Sequence, residues 1–536
     1  MSNRKNGNKA GRAAAVLTAV MLALTVTGCK ERVMSLIGRD RTESAGTAGT
    51  DAAQAAADGG AEGSTASAPA QDGLQDADAG AADKEASDGA GSGTDGSPDE
   101  SDAAQEPGAD EGKVLNICCW DETLEETMRK HYPSYEDNGD GTGRIGSVEV
   151  HWIVAEDQDS YMDKLAEYLL RANDLSADER VDLFVASEDD LSIYVSGTYA
   201  QDVKGTLGLT DAELDDQYPF TQQMATDEDG ILKAVSYKAT PGVFIYRRSI
   251  ARQVLGSDDP AVVQQAVAGW DEFMNTAAQM KKSGYYMLSG YYDAFSVFRS
   301  AAVRHWERDG VLQIDSAFTQ WVNCTKLMTA NGYHHMTLVG DDTWVADQGP
   351  KGKVFGFFRS SDDIDTRMAA YSLANASLPP QEGNGIYGDY AVCMGPQAFS
   401  RGGMWILSAK GSDNLTLDAE IMRKLTCDSS VLQEIAQEEN IFTNTVSGMK
   451  ALAEGSAEDA FLGGQNPYAV YDEVCRKISM IAANPFDRRL GDAFRDTMFP
   501  YYLGEEDLEE AMDDYYEYVK IKYPELTVET PETEED

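Results

Sequence analysis

The sequence predicts an α/β fold, an open parallel sheet carrying helices and divided between at least two lobes. Three observations carry this expectation. Between residues 113 and 524 compact apolar runs alternate with stretches of helical periodicity, the region holds all seven tryptophans, and its length exceeds what one hydrophobic core organises. The first run, Val114–Cys119, is apolar enough for a buried strand, and after Trp120-Asp121-Glu122 comes a helical stretch, 123–131, with acids at its start. Residues 148–154 read as a second strand, and Tyr161, Leu165, Tyr168 and Leu169 mark one face of the helix that follows. A third strand, 181–186, ends in Ser187-Glu188-Asp189-Asp190. In open α/β sheets solutes meet the loops beyond the carboxyl ends of the strands. Trp120 and Asp121 lie at one such end, Glu188 and Asp189 at another. Residues 235–248 then hold the apolar strand Phe244-Ile245-Tyr246, an amphipathic helix follows, and Trp270-Asp271-Glu272-Phe273 opens the next.

Outside this region the chain is a different polymer. With 44 basic and 92 acidic side chains in 536 residues it carries a formal charge of −48, which excludes nucleic acid and anionic lipid surfaces as partners. Residues 1–12 contain Arg4, Lys5, Lys9 and Arg12 and no acid, and they lead into the apolar run 13–26. That run has the length of a signal h-region and falls short of the roughly 20 residues of a membrane span. It closes on Thr27-Gly28-Cys29, which resembles the bacterial lipobox. The resemblance implies cleavage after residue 28 and lipidation of Cys29, so that the protein is anchored on the outer face of the membrane.

From about residue 42 to 112 the only large aliphatic residue is Leu74 and there is no aromatic, so nothing offsets the entropy of ordering. Residues 29–112 are therefore expected to form a disordered, acidic tether. Between Glu43 and Glu111 there are 17 acids against Lys84 alone, a charge of −16 that extends the chain beyond the roughly 45 Å of a neutral flexible linker of this length. Such a spacer favours a Gram-positive setting, with a wall to cross.

Several other signals point to nothing catalytic. Cys118, Cys119, Cys324, Cys393, Cys427 and Cys475 show neither a C-x-x-C nor a zinc spacing, and buried free thiols are expected. The stretch 136–141 is rich in Asp and Gly, but Ser147 stands where a calcium loop needs its glutamate, which makes it a polar turn. His334 and His335 are adjacent, cannot aim at one metal, and are expected to face solvent. No metal and no cofactor is called for, and no G-x-S-x-G, H-E-x-x-H or P-loop pattern occurs.

The order of segments resembles a known family. The strand ending in Tyr246-Arg247-Arg248-Ser249, then Trp270-Asp271-Glu272-Phe273 with Lys281 and Lys282 at its helix end, is similar to the extracellular solute-binding proteins of carbohydrate ABC importers, the group that includes maltose-binding protein. Lys351-Gly352-Lys353 with Phe358-Arg359 resembles the family's glycine-lysine strand and aromatic tip. Gly402-Gly403-Met404-Trp405 resembles its double-glycine strand, and Asn484-Pro485-Phe486-Asp487 with the acidic stretch 505–522 its closing helices. Tyr246-Arg247-Arg248-Ser249 departs from the usual tyrosine-tyrosine-asparagine-lysine.

The resemblance implies a two-lobed, periplasmic-binding-protein-like fold with a central ligand cleft and hinge crossings near residues 236–241, 395–403 and 444–448. One lobe would comprise about 113–238 and 398–445, the other 239–397 and 446–524, with an acidic tail at 525–536. It further implies a monomer that binds a small solute, a sugar before all, and passes it to the membrane subunits of an ABC permease without catalysis. Aromatic faces and hydrogen-bonding carboxylates suit a neutral oligosaccharide. Carried over by position, the contact residues are Trp120, Asp121, Glu188, Asp189, Tyr237, Tyr291, Tyr292, Phe358, Arg359 and Trp405. Phe358 and Trp405 serve the core equally well, Tyr291 and Tyr292 can be one buried and one exposed neighbour, and Trp270 is read as packing. Two other functions stay open on the sequence: the same fold holding a cation such as a polyamine, given the acidity of the chain, and a surface glycoside hydrolase using two of its many carboxylates.

Overall fold

Strand β1 (Val114–Cys119) forms because six apolar or small residues in a row can be buried on both faces of a sheet, and all but the first are. In the computed structural model, which describes residues 112–155 and 157–529, it pairs in parallel with β4 (Val148–Val154) and β5 (Leu183–Ser187). The lipobox cysteine, the tether and the end of the acidic tail lie outside the described residues. β2 (Tyr135–Asp137) and β3 (Thr142–Ile145) add an antiparallel hairpin on one side. Its turn is the Asp- and Gly-rich stretch: Asp137 accepts from the Gly139 amide at 2.7 Å, and Gly139 and Gly141 take φ of 78° and 80°. On the other side come β15 (Met404–Ser408), antiparallel to β5, and β6 (Val235–Ser236). The seven-stranded order is β2-β3-β4-β1-β5-β15-β6. The sheet is thus mixed rather than parallel throughout, because the β2–β3 hairpin extends one edge and β15 enters the other from the far part of the molecule, both antiparallel.

The second sheet is built on β7 (Pro241–Arg247), buried along its whole length. β12 (Gly356–Ser360) pairs on one edge, and β13 (Tyr390–Cys393) followed by β14 (Phe399–Ser400) on the other, all antiparallel. Between them in the chain lie two short pairs, β8 (Leu288–Gly290) with β11 (His334–Thr337) and β9 (Glu307–Arg308) with β10 (Val311–Leu312). The period of two along β7 divides its side chains between two cores: Phe244 and Tyr246 join one, Val243 and Ile245 the other. Phe358 faces the first and Phe357 the second for the same reason. The first sheet keeps a separate core containing Ile117, Phe184, Leu407 and Ile421.

Three stretches join the two sheets. Residues 237–240 lead from β6 to β7, residues 401–403 from β14 to β15, and residues 440–445 from the helix Ser429–Glu439 to the helix Val446–Ala453. The first and third run side by side: Ala239 donates to the Phe442 carbonyl at 3.1 Å and Asn444 to that of Tyr237 at 2.8 Å. The buried Asn444 side chain accepts from the Tyr218 amide and donates to Thr221 and Ser236. In the second, Gly402 and Gly403 adopt φ of 98° and 119°, a region that a Cβ makes costly, and a Cβ on Gly403 would lie 2.9 Å from the Trp405 ring. Replacing Gly403 with Ala is expected to cost about 2 kcal/mol, read as a lower urea midpoint with an unchanged slope.

Among the described residues no helix is long and apolar enough to cross a membrane. The six cysteines in the described part are free. The histidine pair departs from expectation. His334 is 1% exposed, its Nε2 2.8 Å from the Thr329 hydroxyl, and burial pushes its pKa down to about 4. Only His335 reaches the surface, stacked on Tyr286 with its ring nitrogen 2.9 Å from Asp347. Alternation along β11 separates the two rings.

Candidate functional site

The carboxyl ends of β1 and β5, the three crossings and the end of β12 meet along one seam between the sheets. β5 delivers Glu188 there. Its side chain is 4% exposed and takes three donors: Arg299 at 2.7 Å, the Gly402 amide at 2.6 Å and the Ser400 hydroxyl at 3.1 Å. Arg299 sits on the helix Phe295–Ser300, whose Phe295 and Phe298 belong to a core of the second sheet, so this ion pair spans the seam. Asp189 is paired with Arg299 at 3.4 Å and with Arg488 of the helix Asp487–Thr497. Glu188 and Asp189, two of the three acids expected to touch a solute, are thus each engaged by arginine from the opposite side.

Trp120, half-buried at the end of β1, stands edge-on to Tyr161 with centroids 5.7 Å apart. Asp121 is exposed and accepts from the Thr123 amide at 3.0 Å, opening the helix Thr123–His131. Tyr237 is fully buried in the first crossing, and burial raises its pKa to about 12. Beside it Lys238 lies 3.7 Å from Asp362, which follows β12, and the charges of Tyr237, Asp362, Glu439 and Asp121 lift its pKa against the opposing effect of burial. Arg359, 3% exposed, lies over the Trp344 ring at 4.9 Å, with Asp363 3.8 Å away.

The remaining expected contacts are packing residues by position. Phe358 is enclosed by Phe244, Phe273 and Phe399, with centroids within 5.8 Å. Trp405 is 1% exposed and donates its indole N–H to the Thr221 carbonyl at 3.0 Å. Tyr291 packs between His334, Phe499 and Tyr502, and Tyr292 lies half-buried beneath Arg495. Trp270 stacks on Phe298 at 4.3 Å, a packing role.

Lys238, Arg299, Asp362, Arg401 and Arg488 also reach the seam, and sequence reasoning passed over them. A signal existed for Lys238 and Arg401, which flank Tyr237 and Gly402 in crossings already recognised. Arg299 and Arg488 gave none, being helix residues brought in by the topology.

The seam also gathers buried polar atoms that have no hydrogen-bond partner: Thr240 Oγ1, Ser361 Oγ, Asp362 Oδ1 and Arg359 Nε. Buried polar groups are seldom left unpaired, and a site that pairs them only when filled is one reason for the exception.

Two open α/β sheets with separate cores, three crossings and a polar seam between them define a two-lobed binding protein. The chain belongs to the bacterial extracellular solute-binding proteins, whose family profile matches residues 141–440. No curated protein sequence matches it. Solved structures share the fold at low identity. An extracellular solute-binding protein of family 1 is 12% identical over 77% of this chain and all of its own, with a TM-score of 0.64. The sugar-binding protein MalE from Xanthomonas citri is 12% identical over 76% of this chain and 97% of its own, at 0.58. The galacto-N-biose-/lacto-N-biose I-binding protein of the ABC transporter from Bifidobacterium longum, solved with lacto-N-biose, is 13% identical over 78% and 100%, at 0.55.

Proposed function

We propose that this chain is the substrate-binding lipoprotein of an ABC importer, held at the extracellular face of the membrane through Cys29, which captures a carbohydrate in the interlobe seam and hands it to a permease. The observation that carries the reading is the set of unpaired buried atoms at Thr240, Ser361, Asp362 and Arg359. Donors and acceptors stand there together, and a sugar's hydroxyl groups, each both donor and acceptor, can satisfy them all at once. The importers' receptors among the structural neighbours, solved with sugars, support the same reading. Trp120, Asp121, Tyr237, Lys238 and Arg359 would line the site, Glu188 and Asp189 would hold its walls together, and the rings of Tyr291, Tyr292, Phe358 and Trp405 would support it from the cores. Binding without turnover is all this arrangement requires. The tether from 29 to 112 sets the reach, with a Gram-positive wall as its setting.

The test is a thermal-shift screen of the full-length protein against oligosaccharides, polyamines and peptides. A solute at 100 times its dissociation constant adds about 2.7 kcal/mol to folded-state stability. Stabilisation by a sugar that is recovered intact supports the reading, stabilisation by polyamines alone replaces it, and recovery of a cleaved sugar makes the protein a hydrolase. Trp120→Ala is expected to weaken the sugar about tenfold through loss of a stacking face. Unchanged affinity in both Trp120→Ala and Tyr237→Ala moves the site elsewhere.

A further inference from the structure

The seam holds four arginines, Arg299, Arg359, Arg401 and Arg488, and they are unequally supplied with acceptors. Arg299 is bonded to Glu188 and Asp189, and Arg488 pairs with Asp189 and Asp492. Arg359 makes no side-chain hydrogen bond among the described residues; its nearest acid, Asp363, stands at 3.8 Å, beyond bonding distance, and its Nε is buried without a partner. Among the described residues the Arg401 side chain donates only to the carbonyl of Phe358, the residue next to Arg359, at 3.3 Å. Each guanidinium carries five N–H groups, so two neighbouring side chains with ten donors make one direct hydrogen bond between them.

The acids around them do not cover the surplus. Glu188 is engaged by Arg299, Ser400 and Gly402 and makes no hydrogen bond to Arg401. Asp293 already accepts from the amides of Ser289 and Gly290 at 3.0 and 2.8 Å and from the Trp344 indole at 3.0 Å, and it acts on both arginines through its charge without a direct hydrogen bond. Asp363 is shared at 3.8 and 3.9 Å with Arg359 and Arg367. Arg359 is buried and Arg401 half-buried, and desolvation pushes the pKa of both below the usual arginine value, yet a guanidinium stays charged at any physiological pH. The buried Arg359 charge is costly while it is short of acceptors, and an anion bound between it and Arg401 lowers that cost. The acidity of the rest of the chain does not supply the missing acceptor, since its field decays over about 8 Å in physiological salt.

Resting on the carbohydrate reading above, we propose that the solute is an acidic sugar, carrying a carboxylate, sulfate or phosphate that docks on Arg359 and Arg401. The planar forks of the two arginines match such a group in bidentate fashion, while Thr240, Ser361 and Asp362 serve the hydroxyls. The neutral oligosaccharide suggested by the sequence resemblance offers hydroxyl acceptors but no charge to oppose the two guanidinium groups.

Calorimetry on the full-length protein tests this with neutral oligosaccharides and with the uronate, sulfated and phosphorylated forms of the same sugars. The expected result is one acidic form bound at least tenfold tighter than its neutral parent, with the preference lost in Arg359→Gln and in Arg401→Lys, which keeps the charge but not the fork. The second variant decides the matter if the first does not fold. Which of the three forms prevails identifies the anion. A neutral sugar bound as tightly as its acidic forms overturns the inference and leaves the carbohydrate reading standing. Failure of every sugar, neutral and acidic, overturns both.

Discussion

Glu188→Ala is expected to lower the stability of the folded protein by about 3 to 5 kcal/mol, the cost of removing one partner from a buried ion pair. The side chain is 4% exposed, and its loss strands three donors at once: the Arg299 guanidinium, the Gly402 amide and the Ser400 hydroxyl. Two of these lie in or beside the return crossing, where Gly402 and Gly403 already hold backbone conformations that other residues avoid. The cost therefore falls on the junction between the sheets and not on either core. Glu188→Gln, which keeps the shape and one acceptor oxygen, should cost much less. Combining Glu188→Ala with Arg299→Met should recover part of the loss, because no charge is then left buried and unpaired. Urea unfolding of the single and double variants measures both effects. A Glu188→Ala protein with the parental midpoint would show that the carboxylate does not hold the seam.

The same carboxylate shows how far the sequence could be read. Its position past β5 was legible, because a continuous apolar run followed by Ser187-Glu188-Asp189-Asp190 can only be a buried strand ending in a polar loop. Its partners were not, since Arg299, Ser400 and Gly402 are separated from it by more than a hundred residues and by the crossings. β1, β4, β7 and the helices Thr123–His131 and Trp270–Lys282 were legible for a similar local reason: strong periodicity and clear polar punctuation. The antiparallel entry of β15 was not, since an apolar run does not disclose its direction. For Phe358 and Trp405 the sequence allowed either core or cleft, and the decision came from register: Phe358 opposite Phe244 and Trp405 opposite Ala186 point into cores. The donor surplus at Arg359 and Arg401 was invisible for the converse reason, as an arginine in a sequence gives no count of its acceptors.

A buried acid in the first sheet should give the protein a measurable pH dependence. Asp182, at the mouth of β5, has no exposed surface; its oxygens accept from the Asn116 amide at 2.8 Å, the Ser412 hydroxyl at 2.9 Å and the Asn414 side chain at 3.2 Å. Burial outweighs these bonds and pushes its pKa from 3.8 up to about 6. The folded state then holds this proton more tightly than the unfolded chain does. Below pH 3.8 both states are protonated and the contribution to stability is fully present. As the pH rises the unfolded chain ionises first, and the contribution is lost by the time the folded carboxyl has ionised, above about pH 6. A shift of this size amounts to about 3 kcal/mol across the window. Asp182→Asn stays neutral throughout and lacks this slope, though its amide turns one acceptor into a donor and loses about 1 kcal/mol at every pH. Urea midpoints of parent and variant at pH 4, 5, 6 and 7 isolate the effect, since all other titrating groups cancel in the difference. The parent should lose about 2 kcal/mol relative to the variant between pH 4 and pH 7, because at pH 4 the unfolded carboxyl is already more than half ionised. A difference independent of pH would mean that the three hydrogen bonds, and not the burial, set the charge of Asp182.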